Sequence, residues 1–324
     1  MTRIDASDID IRSGRISDIS LPLMINSAGD LDLTEYINRN KQEVEAHLVK
    51  HGGILFRNFA VDTVEKFNTM VKCFDQHPIE YMFRSSPRYS LAEGVYISTK
   101  YPNDRSINMH SESSYSFEWG KKIIFGCILP AATGGRTPIA DNRKVLANLG
   151  KDLVDKFEKE GVIYQRNLIA EIGMRWQEVF QTENADEVKK TCREKNIQFK
   201  FLTKDNLLLR WKRPAIFSHP VTNEKTWFNH AFFFNKYSLL EEMQIPYNET
   251  SLYNSLPSDT FFGDSTEISH EEYLQIKEAY EKEKVSFSWE KGDVLLLDNM
   301  LSSHGREPYK GERQIVVSIL EPAC

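Results

Sequence analysis

The 324-residue sequence has only four cysteines, Cys73, Cys127, Cys192 and Cys324, far apart and without Cys-x-x-Cys or metal-finger spacing. Neither a disulfide framework nor a cysteine-based metal site organises such a chain, and reduced, structural thiols are expected. A basic stripe is missing as well. The 41 Lys and Arg residues are scattered among 47 Asp and Glu, for a net charge of −6, so nothing gathers a phosphate backbone and no nucleic-acid partner is expected. No apolar run approaches membrane-spanning length, and Met1 to Asp10 is polar and acidic, unlike a signal peptide. No membrane association and a cytoplasmic location are therefore expected. Internal repeats and low-complexity segments are absent, and nothing in the sequence specifies an oligomeric state.

What remains is ordinary globular composition, 40% hydrophobic, enough for a large core and read as one domain over 1–324. Its first part, 1–80, reads as a helical and strand elaboration, with irregular structure and an edge strand in the first 30 residues. Thr34 can cap a helix whose Ile37, Val44 and Leu48 share one stripe, and Gly52-Gly53 stops it before a buried strand, Ile54 to Phe56. Asp62 and Glu65 resemble a capping box for a second helix with Val64, Phe67, Val71 and Phe74 inside. Over 81–324 the apolar runs are short and rich in β-branched and aromatic residues: Ile123 to Leu129, Leu207 to Trp211, Thr226 to Phe234, Val285 to Trp289, Val294 to Leu297 and Ile315 to Leu320. Each reads as a strand. Helical inserts separate them at about Asn142 to Glu160, Glu171 to Asn196 and Ser269 to Lys284, the last opening with a Ser269-x-x-Glu272 capping box. The fold class is mostly β with helical decoration, an α+β chain with a sandwich or barrel core. The 171–200 insert, charged and poor in apolar positions, reads as a lid or partner surface.

Chemistry concentrates in a few places. In Asn108-Met109-His110-Ser111-Glu112, an extended backbone projects His110 and Glu112 from the same side. Alone, a His-x-Glu is more often ordinary polarity than a metal site. A second imidazole comes from His304, shortly after the turn Lys291-Gly292-Asp293 and the strand it launches. Two imidazoles and one carboxylate on one face of an ion leave the other face open, as Fe(II) oxygen chemistry requires. Arg313, leading the strand Ile315 to Leu320, can offer a bidentate guanidinium to a dicarboxylate, although taken singly it reads first as a strand-edge ion pair with Glu312 or Glu321. Thr137 follows Gly134-Gly135, a turn that lets a hydroxyl approach a carboxylate closely. Asn229 lies in an aromatic run where a polar group needs a partner, and Arg88 after Ser86-Pro87 can clamp a carboxylate; both are candidate substrate contacts. His47, His51, His77, His219, His230 and His270 have no second ligand at metal spacing and read as structural or exposed.

The order of His110-x-Glu112, Gly134-Gly135-Arg136-Thr137-Pro138, Gly292-Asp293, His304-Gly305-Arg306 and Gly311-Glu312-Arg313 resembles the taurine dioxygenase and clavaminate synthase-like superfamily. The likeness spans roughly Tyr81 to Glu321. It implies a double-stranded β-helix (jelly-roll) core, with His110, Glu112 and His304 as iron ligands and Thr137 and Arg313 on the distal carboxylate of 2-oxoglutarate. The implied cofactors are Fe(II), 2-oxoglutarate and O2. Further residues, among them Tyr81, Ser86-Pro87-Arg88, Val95-Tyr96-Ile97-Ser98-Thr99 and Trp227-Phe228-Asn229, resemble hydroxylases of nonribosomal peptide and amino-acid pathways. That implies hydroxylation of an unactivated C–H in an amino acid or an aminoacyl or peptidyl group, free or tethered to a carrier protein. Two departures matter. Val317 stands where taurine enzymes place a second arginine, which disfavours a sulfonate, and Glu112 is retained where related halogenases have a small residue. Desaturation or epoxidation by the same centre remains open, as do a zinc hydrolase on the same ligands and a non-enzymatic binding protein.

Overall fold

The computed structural model describes residues 9–12, 21–27, 31–74, 90–92, 94–98, 101–169, 173–247 and 256–324. Arg88, together with Tyr81, Ser86, Pro87, Thr99 and His77, lies outside them.

Among the described residues the architecture is mixed, with many strands and helices set between them. The largest sheet has eight strands, and Trp119–Leu129 lies at its heart between Val294–Asp298 and Gln314–Ala323. The N-terminal strands are part of the same sheet. Leu23–Ser27 runs parallel to Gly53–Arg57, which pairs antiparallel with Val294–Asp298, and Ile9–Arg12 forms one edge. The strands Ile9–Arg12, Leu23–Ser27 and Gly53–Arg57 are thus built into the frame that carries the C-terminal motifs. A second, four-stranded sheet contains Gln198–Phe201, Leu207–Arg213, Val162–Leu168 and Ser258–Phe262. A further, three-stranded sheet, Ile107–His110, Ser302–Arg306 and Ile139–Asp141, holds both histidines of interest.

Several expectations shift in detail. Asp32, not Thr34, caps the first helix, Leu33–Arg39, and a second helix, Lys41–His51, ends at Gly52 with φ 78. Thr63 rather than Asp62 caps Val64–Val71, while Asp62 pairs with Lys66. The Ser269–Glu272 capping box forms in both directions at the start of His270–Glu283. The run Thr226 to Phe234 is not one strand. Pairing stops at Trp227, and residues 230–235 turn back on themselves through Phe234 N–H to His230 O and Asn235 N–H to Phe232 O. Val285 to Trp289 makes a single bridge, Val285 to Ile139, instead of a strand. Asn142 to Glu160 splits at Gly150 into Asn142–Asn148 and Lys151–Glu160.

The 171–200 insert is seated more firmly than a charged surface flap. Trp176, Val179, Val188, Cys192 and Ile197 are all buried in the main core. The helix Ala185–Glu194 keeps its charges outward, and that amphipathic split is what made the segment look core-poor. Glu171 itself lies outside the described residues. No helix among the described residues is long and apolar enough to cross a membrane, and all four cysteines are free thiols.

Candidate metal and co-substrate site

His304 and His110 are direct cross-strand partners on the three-stranded sheet, with ring centroids 4.5 Å apart. Antiparallel pairing alone brings two residues 194 positions apart onto one face. Gly305, next to His304, has to be glycine: a Cβ there would stand 2.6 Å from Ile107 O. His110 Nδ1 lies 2.8 Å from Asn108 O. A carbonyl only accepts, so Nδ1 carries a proton and Nε2 is the ring nitrogen that a metal would take.

Glu112 reaches the same place by a different route from the expected one. The strand ends at His110, and Glu112 opens a turn in which Ser114 N–H meets Ser111 O and Ser113 adopts φ 55. An i, i+2 projection from an extended backbone is therefore not what aims it. Asn299, fully buried, does so: its Oδ1 accepts from Glu112 N–H at 2.8 Å and its Nδ2 donates to Glu112 O at 2.9 Å and to Gly120 O at 2.8 Å. As a result one ligand atom each from His110, Glu112 and His304 lies within 4.8 Å of the others. Two imidazoles and a carboxylate are a donor set that suits Fe(II).

These three side chains open into a cavity of about 340 Å³, which Thr137 and Arg313 also line. Thr137 Oγ1 accepts from Trp289 Nε1 at 3.0 Å, which leaves the hydroxyl proton for a ligand. Arg313 Nε donates to Gly135 O at 3.1 Å, and its guanidinium lies 5.4 Å from the Tyr309 ring centroid. Gly134 and Gly135 both have positive φ, 71 and 68, and a Cβ on Gly134 would meet Pro308 O at 2.2 Å. Burial first, and the nearby Arg306 second, bring the Arg313 guanidinium down to about 10. Such a site favours an incoming carboxylate. Val317, buried and apolar, lines the same cavity.

Asn229 stands apart from the cavity. Its Nδ2 donates to Ala215 O at 2.7 Å and its Oδ1 accepts from Ala231 N–H at 2.8 Å, so the polar group finds its partners in the backbone and holds the aromatic turn. That turn supplies the cavity wall through Phe233, 4.6 Å from the His110 ring, and Phe234. His230 packs behind it, 5.6 Å from His110, with Nδ1 2.7 Å from Ser114 Oγ. Burial, reinforced by His110, His304 and Arg166, holds its pKa well below the ordinary range. His219 braces the turn before His304 by meeting Asp298 Oδ2 at 3.1 Å, while Asp298 Oδ1 takes the N–H groups of Met300 and Leu301. Arg306 ties down residues 101–105 through the carbonyls of Tyr101, Pro102 and Arg105. Sequence reasoning missed Asn299, whose signal is confined to a contact across the fold, and the local backbone contact from Asn108 O to His110.

The family described as "Taurine catabolism dioxygenase TauD, TfdA family" matches residues 17–319. Dapdiamide synthesis protein DdaC of Enterobacter agglomerans is 33% identical over 304 residues, covering 93% of this chain and 91% of that protein. A clavaminate synthase-like protein of Arabidopsis thaliana is 26% identical over 312 residues, covering 93% and 88%. Among solved structures, PvcB of Pseudomonas aeruginosa shares the fold with a TM-score of 0.60 at 13% identity, over 98% of this chain and 94% of that one. With two imidazoles and a carboxylate converging on a cavity beside Thr137 and Arg313, the chain belongs to the TauD/TfdA family and is an iron- and 2-oxoglutarate-dependent dioxygenase.

Proposed function

We propose that this dioxygenase hydroxylates an unactivated C–H bond of an amino acid or of an aminoacyl or peptidyl group, free or carrier-tethered. On this reading His110, Glu112 and His304 hold iron, and Arg313 with Thr137 holds the distal carboxylate of 2-oxoglutarate. The observation that supports it is that all five side chains face one cavity. The choice of substrate class leans on the relative whose name places it in dapdiamide synthesis and on the apolar Val317 in the cavity wall. Membership in a dioxygenase family sets aside a zinc hydrolase or a non-enzymatic binding protein. The same reading makes 1–324 one domain around a double-stranded β-helix, working without nucleic acid or membrane in the cytoplasm.

Bound iron and 2-oxoglutarate supply the oxidising power, with O2 consumed, succinate and CO2 released, and one oxygen atom left on the substrate carbon. The chain's own residues position and shield. Asn108 fixes the His110 ring, Asn299 fixes the Glu112 backbone, and Trp289 orients the Thr137 hydroxyl. Phe125, 5.1 Å from His304, with Phe233 and Phe234, forms an apolar wall that keeps water from the reacting carbon.

The test does not require the substrate. Purified protein with Fe(II), ascorbate and 2-oxoglutarate is expected to form succinate above the level of a His304→Ala variant, and equal rates would sink the reading.

A further inference from the structure

The strand Val162–Leu168 carries a charged residue on a face that is otherwise apolar. Tyr164, Arg166 and Leu168 alternate onto one side, and the ladder sets Arg166 against Leu209 on one neighbour and Ser258 on the other. Arg166 is 6% exposed. An arginine that served packing alone would extend its head to solvent along such a face. This one instead lines the cavity that holds the metal ligands, beside Leu168 and Ser258. Its guanidinium lies 5.9 Å from the Phe234 ring, Phe234 lies 4.9 Å from His230, and His230 lies 5.6 Å from His110. Two rings, Phe234 and His230, thus link the cation to His110. Arg313, by contrast, comes from the leading end of Gln314–Ala323 in the eight-stranded sheet and is assigned to the co-substrate. Arg306, also buried on the cavity wall, is engaged by the carbonyls of Tyr101, Pro102 and Arg105, so Arg166 is a third cation of the cavity, buried and on another sheet from Arg313.

We propose that Arg166 anchors a free carboxylate of the organic substrate. The planar guanidinium fork matches a carboxylate in a way no neutral cavity group here does. This rests on the oxygenase reading above and narrows its substrate class. The substrate is an amino acid oxidised with its α-carboxylate free, or a carrier-bound acyl group that keeps a second, unesterified carboxyl. An aminoacyl thioester whose single carboxyl is esterified is not held.

The test is anaerobic titration of the Fe(II)–2-oxoglutarate protein, followed by its visible charge-transfer band. The probes are proteinogenic amino acids, their methyl esters, and pantetheine thioesters of aspartate, glutamate and neutral residues. Acids that perturb the band are expected to bind about ten-fold or more tightly than their esters, since a charge-assisted hydrogen bond is lost on esterification. That preference disappears in Arg166→Gln and survives in weakened form in Arg166→Lys, which carries the comparison if the glutamine variant does not fold. Perturbation by free amino acids, or by aspartyl and glutamyl thioesters, tells the two sources apart. The proposal is overturned if esters bind as well as acids, if Arg166→Gln keeps the preference, if neutral thioesters alone respond, or if no carboxylate perturbs the band. A native protein that forms no band with Fe(II) and 2-oxoglutarate sinks the oxygenase reading itself, and is told apart from an Arg166 failure because the band is then absent before any probe is added.

Discussion

Asn299 holds Glu112 by its main chain, accepting from the N–H and donating to the carbonyl of the same residue. The carboxylate is thereby aimed without being touched. Asn299→Ala removes both bonds and a third to Gly120 O. We expect iron affinity to fall roughly ten- to a hundred-fold, as for other residues that orient metal ligands, and stability to fall by about 1–3 kcal/mol. Iron titration and urea denaturation measure the two. An alanine variant that binds iron like the native chain refutes the role.

On the proposed assignment, Arg313 separates co-substrate binding from metal binding. Arg313→Leu is expected to weaken 2-oxoglutarate binding by about 2–5 kcal/mol, the usual cost of removing one partner of a desolvated charge pair. Iron binding by the three ligands should persist. Because burial already opposes the Arg313 charge, the ligand-free variant should be at least as stable as the native chain in a thermal melt. Undiminished 2-oxoglutarate affinity would place its carboxylate elsewhere.

The Trp289–Thr137 bond links the cavity to the core. Thr137→Val keeps the shape but leaves a buried indole N–H without its acceptor, at a cost of about 1–3 kcal/mol in stability. It should also raise the KM for 2-oxoglutarate. Thr137→Ser should restore both, and a serine variant that behaves like valine would show that the methyl group, not the hydroxyl, matters.

Asp259 gives a pH signature of stability away from the site. Burial is the main reason its pKa is pushed up from 3.8 to about 6, against the bonds it accepts from Lys236 and Thr260 N–H. A raised carboxyl favours the protonated folded state. Its stabilising contribution is complete below about pH 4 and is lost as pH rises through about 6. Both backbone bonds go to Oδ1, which asparagine retains. Asp259→Asn should therefore stabilise the chain by up to about 3 kcal/mol at pH 7.5, with the gain vanishing toward pH 4. Urea midpoints across that range decide it, and a gain independent of pH would contradict the assignment.

The five side chains that the structure brings to one cavity could be read in the sequence because each is chemically distinctive and lies near a strand end or a glycine turn. What could not be read is how they are held. Asn299 is 187 residues from Glu112, and no local pattern reports a contact of that length. Glu112 does converge with the two histidines, but not for the reason expected from the sequence, since the strand has already ended. The aromatic run after Trp227 has strand composition, yet Asn229 bends it with two backbone bonds. Propensity measures fit to a pleated surface and carries no information about such a turn. Arg166 went unnoticed because the strand that carries it, Val162–Leu168, is not among the runs that read as strands, and its burial is decided by cross-strand neighbours. Caps slipped by a residue or two, at Asp32 and Thr63, where several polar side chains competed and backbone geometry chose between them.

The pairing of His304 with His110 has a further consequence. Both rings are placed by sheet hydrogen bonds that form during folding, so the conformational entropy of bringing them together is spent before any ion arrives. Metal loading should then resemble filling a finished socket. A chelator would strip iron and leave the circular dichroism spectrum and cooperative melt intact, and readdition of Fe(II) would restore function at the speed of ligand exchange, without refolding.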